Sequence, residues 1–202
     1  MDVTRLCLRT CNPDGSSYGG FKWPLAVGAT VEAPDWDPSP HCGNGLHGLL
    51  NGEGDGSLLD TSGILLVVEA VGQIVDLGEK VKFPSAIVRC VGTKEEATSF
   101  LLDHCPGKAI VFATVTGGDW ATVTGGDRST VTGRDRATVT GGDWATVTGG
   151  YRATVTGGEG SALVLSYYDR RKRIVTAYVG ENGIKPNTPY KLDSNNNFAE
   201  VK

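Results

Sequence analysis

No stretch of this 202-residue chain approaches the ~18–20 consecutive apolar residues of a membrane-spanning helix. The opening MDVTRLCLRT also lacks a long apolar run. These absences give the expectation of a cytoplasmic protein with no membrane partner. Charge of one sign is scarce too: the formal net charge of −4 makes no general case for nucleic acid. Nor is there an even cysteine framework. Cys7, Cys11, Cys42, Cys90 and Cys105 are odd in number and scattered, which fits reduced thiols better than disulfides.

Glycine, by contrast, is abundant. Many of the 29 glycines fall in residues 113–160, where nearly the same eight residues recur six times: ATVTGGDW, ATVTGGDR, STVTGRDR, ATVTGGDW, ATVTGGYR, ATVTGGEG. A fixed period announces a repeat architecture. A-T-V-T alternates small or apolar with hydroxylic residues and reads as a short strand, with Ala and Val inward and both threonines outward. G-G-D-x is turn chemistry, in which Asp119, Asp127, Asp135 and Asp143 are expected to accept nearby turn N–H groups. A calcium-binding G-G-x-G-x-D nonapeptide is not present.

One strand and one turn reverse the chain without returning it over its start, so a coil needs two octads, sixteen residues. The expectation is a two-sided β-solenoid of about three coils stacked at ~4.8 Å; an antiparallel meander is the competing arrangement. Sixteen-residue coils would stack Trp120, Arg136 and Arg152 on one edge and Arg128, Trp144 and Gly160 on the other, giving each Trp an Arg one rung away. The Thr-Val-Thr motif at 114–116, 122–124, 130–132, 138–140, 146–148 and 154–156, followed by a Gly-rich turn, resembles the octapeptide repeats of bacterial ice-nucleation proteins. That likeness implies paired octads per coil. It covers about a quarter of the chain and bears on fold more than on function.

Around the octads, residues 3–10 read as a strand, and the Pro-, Gly- and Asp-rich residues 27–59 as irregular packed loops. Residues 63–71 (GILLVVEAV) read as a buried strand, and 74–77, 81–83 and 86–91 as three more. Thr93 with Glu96 forms a capping box for a helix presenting Ala97, Phe100, Leu101 and His104 on one face. After the octads, SALVLSYY suits a strand covering the open end of the stack, IVTAYVG another strand, and PYKLDSNNNFAEV a final hairpin. The fold class is mainly β: an α+β head over 1–108, a solenoid over 109–166 and a β cap over 167–202.

The head's sharpest motif is His41-Cys42-Gly-Asn-Gly-Leu-His47, with Trp23-Pro24 and Ala33-Pro34-Asp35-Trp36 before it and Gly54-Asp55-Gly56 after. With the octad tail it resembles an uncharacterised family of bacterial and phage proteins that join a C-G-x-G-L-H loop to repeats of variable number. Cys42 and His47 offer a nucleophile and a base, with Asp35, Asp37 or Asp55 to orient the imidazole. The G-x-G-L-H turn is also similar to the NAD-contacting strand of ADP-ribosyltransferases, but the other motifs of that family are missing, and a structural histidine is preferred. Cys7, Cys11, Cys42 and His47 could be assembled as zinc ligands, although buried or idle thiols fit the loose spacing better. Residues 51–57 space oxygen side chains as a calcium loop does, yet Ser62 stands where a bidentate Glu is needed. Arg170-Arg171-Lys172-Arg173 reads as a solvated hairpin tip. No metal or cofactor is expected.

The outward threonines form the candidate binding surface: Thr114, Thr116, Thr122, Thr124, Thr130, Thr132, Thr138, Thr140, Thr146, Thr148, Thr154 and Thr156. At ~6.8 Å along a strand and ~4.8 Å between coils they make a flat hydroxyl lattice. Three coils give a patch of only ~15 Å by ~7 Å per side, too small to nucleate ice. The expected function is non-enzymatic binding or self-assembly, as a homodimer. The alternatives are an enzyme using the Cys42/His47 loop and a weak ice binder.

Overall fold

The computed structural model describes residues 5–201, and the chain divides into two compact units, Met1–Lys108 and Ala109–Lys202. In the first, β1 (Leu6–Cys11), β2 (Thr30–Glu32), β3 (Leu46–Leu50), β4 (Ile64–Val71), β5 (Val75–Asp76), β6 (Val81–Phe83) and β7 (Ser85–Gly92) form one sheet in the order β2-β7-β4-β1-β3-β6-β5. Every pairing in it is antiparallel. Val3 and Thr4, part of the strand expected over 3–10, lie outside the described residues.

Both faces of β4 are covered, so Leu65, Leu66, Val67 and Val68 are all inaccessible and the sequence shows no polar alternation. The helix α1 (Lys94–His104) packs against β4 and β7. Its capping box is present in both directions: the Thr93 side chain accepts from Glu96 N–H, and the Glu96 carboxylate accepts from Thr93 N–H. Ala97, Thr98 and Leu101 are buried. Phe100 and His104 instead stack on each other, ring centroids 4.0 Å apart, at the side of that face.

The stretch read as irregular between 27 and 59 contains two strands. β3 was hidden by its glycine: Gly48 sits where a Cβ would come within 2.9 Å of Cys7 Cβ and 3.1 Å of Leu8 O. A strand this close to its neighbour excludes the β-branched residues by which strands are recognised.

In the second unit each octad supplies one strand: β8 (Thr114–Thr116), β9 (Thr122–Thr124), β10 (Thr130–Thr132), β11 (Thr138–Thr140), β12 (Thr146–Tyr151) and β13 (Thr154–Thr156). They alternate between two sheets, and within each sheet residues sixteen apart pair parallel and in register: Val131 with Val115 and Val147, Val139 with Val123 and Val155. The sixteen-residue coil is therefore the unit, and the meander is excluded. SALVLSYY continues the stack as β14 (Ala162–Asp169), parallel to β12 with Leu163 in the valine slot, then turns into β15 (Arg171–Tyr178). β16 (Tyr190–Leu192) and β17 (Phe198–Glu200) complete the other sheet beside β13.

Between the sheets lie Val131, Val139, Val147 and Val155, all at 0% exposure, with Ala137, Ala145 and Ala153. Ser129 and Ser161 replace alanine in that interior and satisfy their hydroxyls on Gly126 O (2.6 Å) and Gly142 O (2.8 Å). The fifth octad residue must be glycine because the core reaches it: a Cβ on Gly141 would stand 2.7 Å from both Ala145 Cβ and Val147 Cγ2.

Three of the octad aspartates bond across the stack, where bonds within the turn were expected. Asp127 Oδ1 accepts from Asp143 N–H (2.9 Å), Asp135 Oδ1 from Tyr151 N–H (2.9 Å) and Asp143 Oδ1 from Glu159 N–H (2.8 Å). Each carboxylate stitches its coil to the next, which is possible because coil stacking brings an N–H within reach, and it offsets the repulsion of stacked acids. The eighth residue is left-handed throughout, at φ 56–67° from Trp120 to Gly160. Phe112 adopts the same conformation at φ 60° and donates its N–H to Asp127 O, as Trp120 does to Asp135 O. Coil geometry thus begins one turn before the first octad that the sequence reveals.

Candidate functional site

The threonines of β8, β10 and β12 form two straight columns, Thr114-Thr130-Thr146 and Thr116-Thr132-Thr148; β9, β11 and β13 form the equivalent pair on the opposite side. Exposure is uneven. Thr114, Thr116, Thr122, Thr124, Thr130, Thr138 and Thr146 are open, whereas Thr132, Thr140, Thr148, Thr154 and Thr156 are half-buried.

On the first side the columns continue beyond the octads. Thr146 pairs with Ala162 and Ala162 with Tyr178; Thr148 leads through Val164 to Thr176, and Ser166 stands beside Ile174. Because directly paired residues share a face, Ile174 (65% exposed) and Tyr178 (53%) extend the threonine surface as an apolar margin. Among the octads' edge residues, Arg136 lies over Trp120 with its guanidinium carbon 4.7 Å from the ring centroid. Trp144 behaves differently from the sequence expectation: its ring lies against Gly160, where an added Cβ would fall 2.7 Å from it.

In the first unit, Cys42, His47 and Asp35 line one cavity of about 920 Å³ together with Arg9 and Trp23. Cys42 is exposed in its loop and His47 half-buried on β3. Asp55 caps a short turn, accepting from Ser57 N–H at 2.7 Å and Ser57 Oγ at 2.8 Å, and Asp37 does the same for Ser39. Cys7 and Cys11 are core residues of β1; burial pushes the Cys7 thiol up to about 12 and raises that of Cys11. Among the described residues no group of three or more His, Cys, Asp or Glu is placed to hold a metal ion. Sequence reading passes over Arg9, whose signal is an arginine inside a mostly apolar strand.

Burial first, then the charges of Lys80, Lys82 and Arg9, hold the His47 pKa below its ordinary 6.5. The folded ring stays neutral where an unfolded one takes a proton, so its contribution is complete above that value and is lost as pH falls below it. Between about pH 7.5 and about pH 5 the melting temperature of the parent should fall more steeply than that of His47→Gln. Parallel pH profiles for the two proteins would refute this.

Among the described residues no helix is long and apolar enough to cross a membrane. Residues 5–102 match a domain of unknown function, DUF7666. The chain is 38% identical over 104 residues to the ice nucleation protein InaU of Pantoea ananas, covering 49% of this chain and 10% of that protein. It is 36% identical over 107 residues to an ice nucleation protein of Xanthomonas campestris pv. translucens, covering 50% and 7%, and 34% identical over 105 residues to that of Pseudomonas fluorescens, covering 49% and 8%. The chain therefore spans a tenth or less of the length of these curated relatives. No solved structure matches it.

The relatives correct the cytoplasmic location expected from the sequence. Ice nucleation proteins are anchored at the outer membrane and displayed at the surface, which conflicts with that expectation. They agree with the repeat: the octads are similar to those of ice nucleation proteins, and a β-solenoid built from them fits a repeat-based binding or self-assembly role.

Proposed function

We propose that the protein works by self-association, a second copy of the chain docking through the threonine face of the sheet formed by β8, β10, β12, β14 and β15. The observation that carries this reading is the continuation of the in-register threonine columns into exposed Ile174 and Tyr178 on one face of that sheet. Pairing through that sheet's β15 edge is disfavoured, because Arg171, Lys172 and Arg173 lie along it. Face-to-face docking buries hydroxyls that can bond to each other and apolar groups that water hydrates poorly. Light scattering on the full chain across a wide concentration range is expected to give a dimer that dissociates on dilution; a monomer throughout would remove the proposal.

A second reading is supported by the relatives' names: weak ice binding through the same hydroxyl lattice. Its expected result is measurable thermal hysteresis that disappears with Thr130→Lys and Thr132→Lys. Freezing behaviour indistinguishable from that of an unrelated protein would dismiss it.

A further inference from the structure

Among the described residues of the first unit, three buried nitrogens have no hydrogen-bond partner: Arg9 Nε, Trp23 Nε1 and His47 Nε2. All three residues line the same cavity of about 920 Å³, and Arg9 contacts both of the others. The Arg9 guanidinium carbon lies 3.7 Å from the centroid of the Trp23 ring, and Arg9 Nη1 donates to His47 O at 3.2 Å. An unpaired buried polar group costs ~1–3 kcal/mol, so native proteins seldom gather several in one place without a use for them.

Chemistry narrows what would satisfy them. The Nε–H of arginine and the N–H of indole only donate, so their missing partner is an acceptor. Burial lowers the Arg9 pKa to about 9, which leaves it charged at neutral pH. Lys80 adds a second cation to the lining, which also includes the acid Asp35. Phe21, Leu46 and Leu59 give the cavity apolar walls, and its volume is that of small-molecule sites. A bare inorganic ion would leave those walls uncovered.

We propose that this cavity binds an organic anion of about nucleotide size, its phosphate or carboxylate oxygens accepting from Arg9 and Trp23 and its flat apolar body lying on the walls. The site is independent of the solenoid face, so either can fail without the other.

The test follows the Trp23 indole N–H resonance of the full chain, assigned by its loss in Trp23→Phe. Three probes separate the chemistry: adenosine monophosphate supplies a ring with phosphate, indole-3-acetate a ring with carboxylate, and inorganic phosphate the anion alone. The expected result is a saturable shift of the Trp23 signal with one of the two ring-bearing anions, much weaker with inorganic phosphate. The Trp120 and Trp144 signals should stay still. Lys80→Ala, at a partly exposed position, and Arg9→Lys should each weaken binding about tenfold or more, as expected for loss of a charge-assisted contact. A Trp23 signal that no probe moves overturns the proposal. So does a shift of equal affinity in Lys80→Ala and the parent, or one shared by all indoles.

Discussion

Gly142→Ala is expected to cost the second unit more than ~3 kcal/mol, although it adds a single methyl group. A Cβ on Gly142 would lie 2.3 Å from Asp127 Oδ1, 2.6 Å from Asp127 N and 2.7 Å from Gly126 C. Those atoms belong to the coil below, and two of them are backbone, so no rotamer change relieves the contact. The coils must separate, which breaks the bond from Asp143 N–H to Asp127 Oδ1 and strains the one from Gly142 N–H to Gly126 O. Gly118 provides the control, since it holds the same octad position with nothing within 4 Å of an added Cβ. Chemical denaturation should find Gly118→Ala close to the parent and Gly142→Ala strongly destabilised. Equal effects would show that inter-coil contact does not set the glycine requirement.

Deleting octads should have an effect of similar size that depends on parity. Removing residues 129–144 takes out one whole coil and leaves every later strand in its own sheet. Leu163 still falls in a valine slot, and Tyr190 still meets the strand before it. Removing residues 137–144 alone shifts all later strands to the opposite sheet, so the β14–β15 hairpin and the β16–β17 hairpin each face the wrong partner. The sixteen-residue deletion should unfold cooperatively at a somewhat lower temperature, because each coil contributes its own interface. The eight-residue deletion should lose the cooperative transition seen by circular dichroism, since buried Leu163, Leu165 and Tyr190 would lose their slots. Equal tolerance of both deletions would contradict the two-octad coil.

These two features differ in how far the sequence discloses them. The coil length follows from counting strands and turns, and the Trp120–Arg136 contact follows from the coil length, because both concern residues at a fixed separation. Whether the aspartates bond within a turn or to the next coil depends on the rise between coils, which the pattern of residue types does not encode. Arg128 and Trp144 occupy adjacent rungs just as Arg136 and Trp120 do, but Gly160 offers Trp144 an open surface on its other side. In the head, β4 was legible from its apolar run and α1 from its capping box. β3 was not, because Gly48 and His47 displace the residues that mark strands. The cavity beside it was legible only in part: Cys42, His47 and Asp35 stand out as chemically capable residues, while Arg9 and Trp23 gain their meaning from a contact between β1 and the loop after it.

The central claim is that the threonine face bearing Ile174 is a docking surface for a second copy, and sedimentation of three proteins tests it most directly: the parent, Ile174→Lys, and Thr130→Lys with Thr132→Lys. Each substitution places a charge on that outward face and leaves the Val131 core untouched. The expected result is a concentration-dependent dimer for the parent, with both variants monomeric at the same concentrations and equally folded. A parent that stays monomeric, or variants that dimerise as strongly as it does, would contradict the claim.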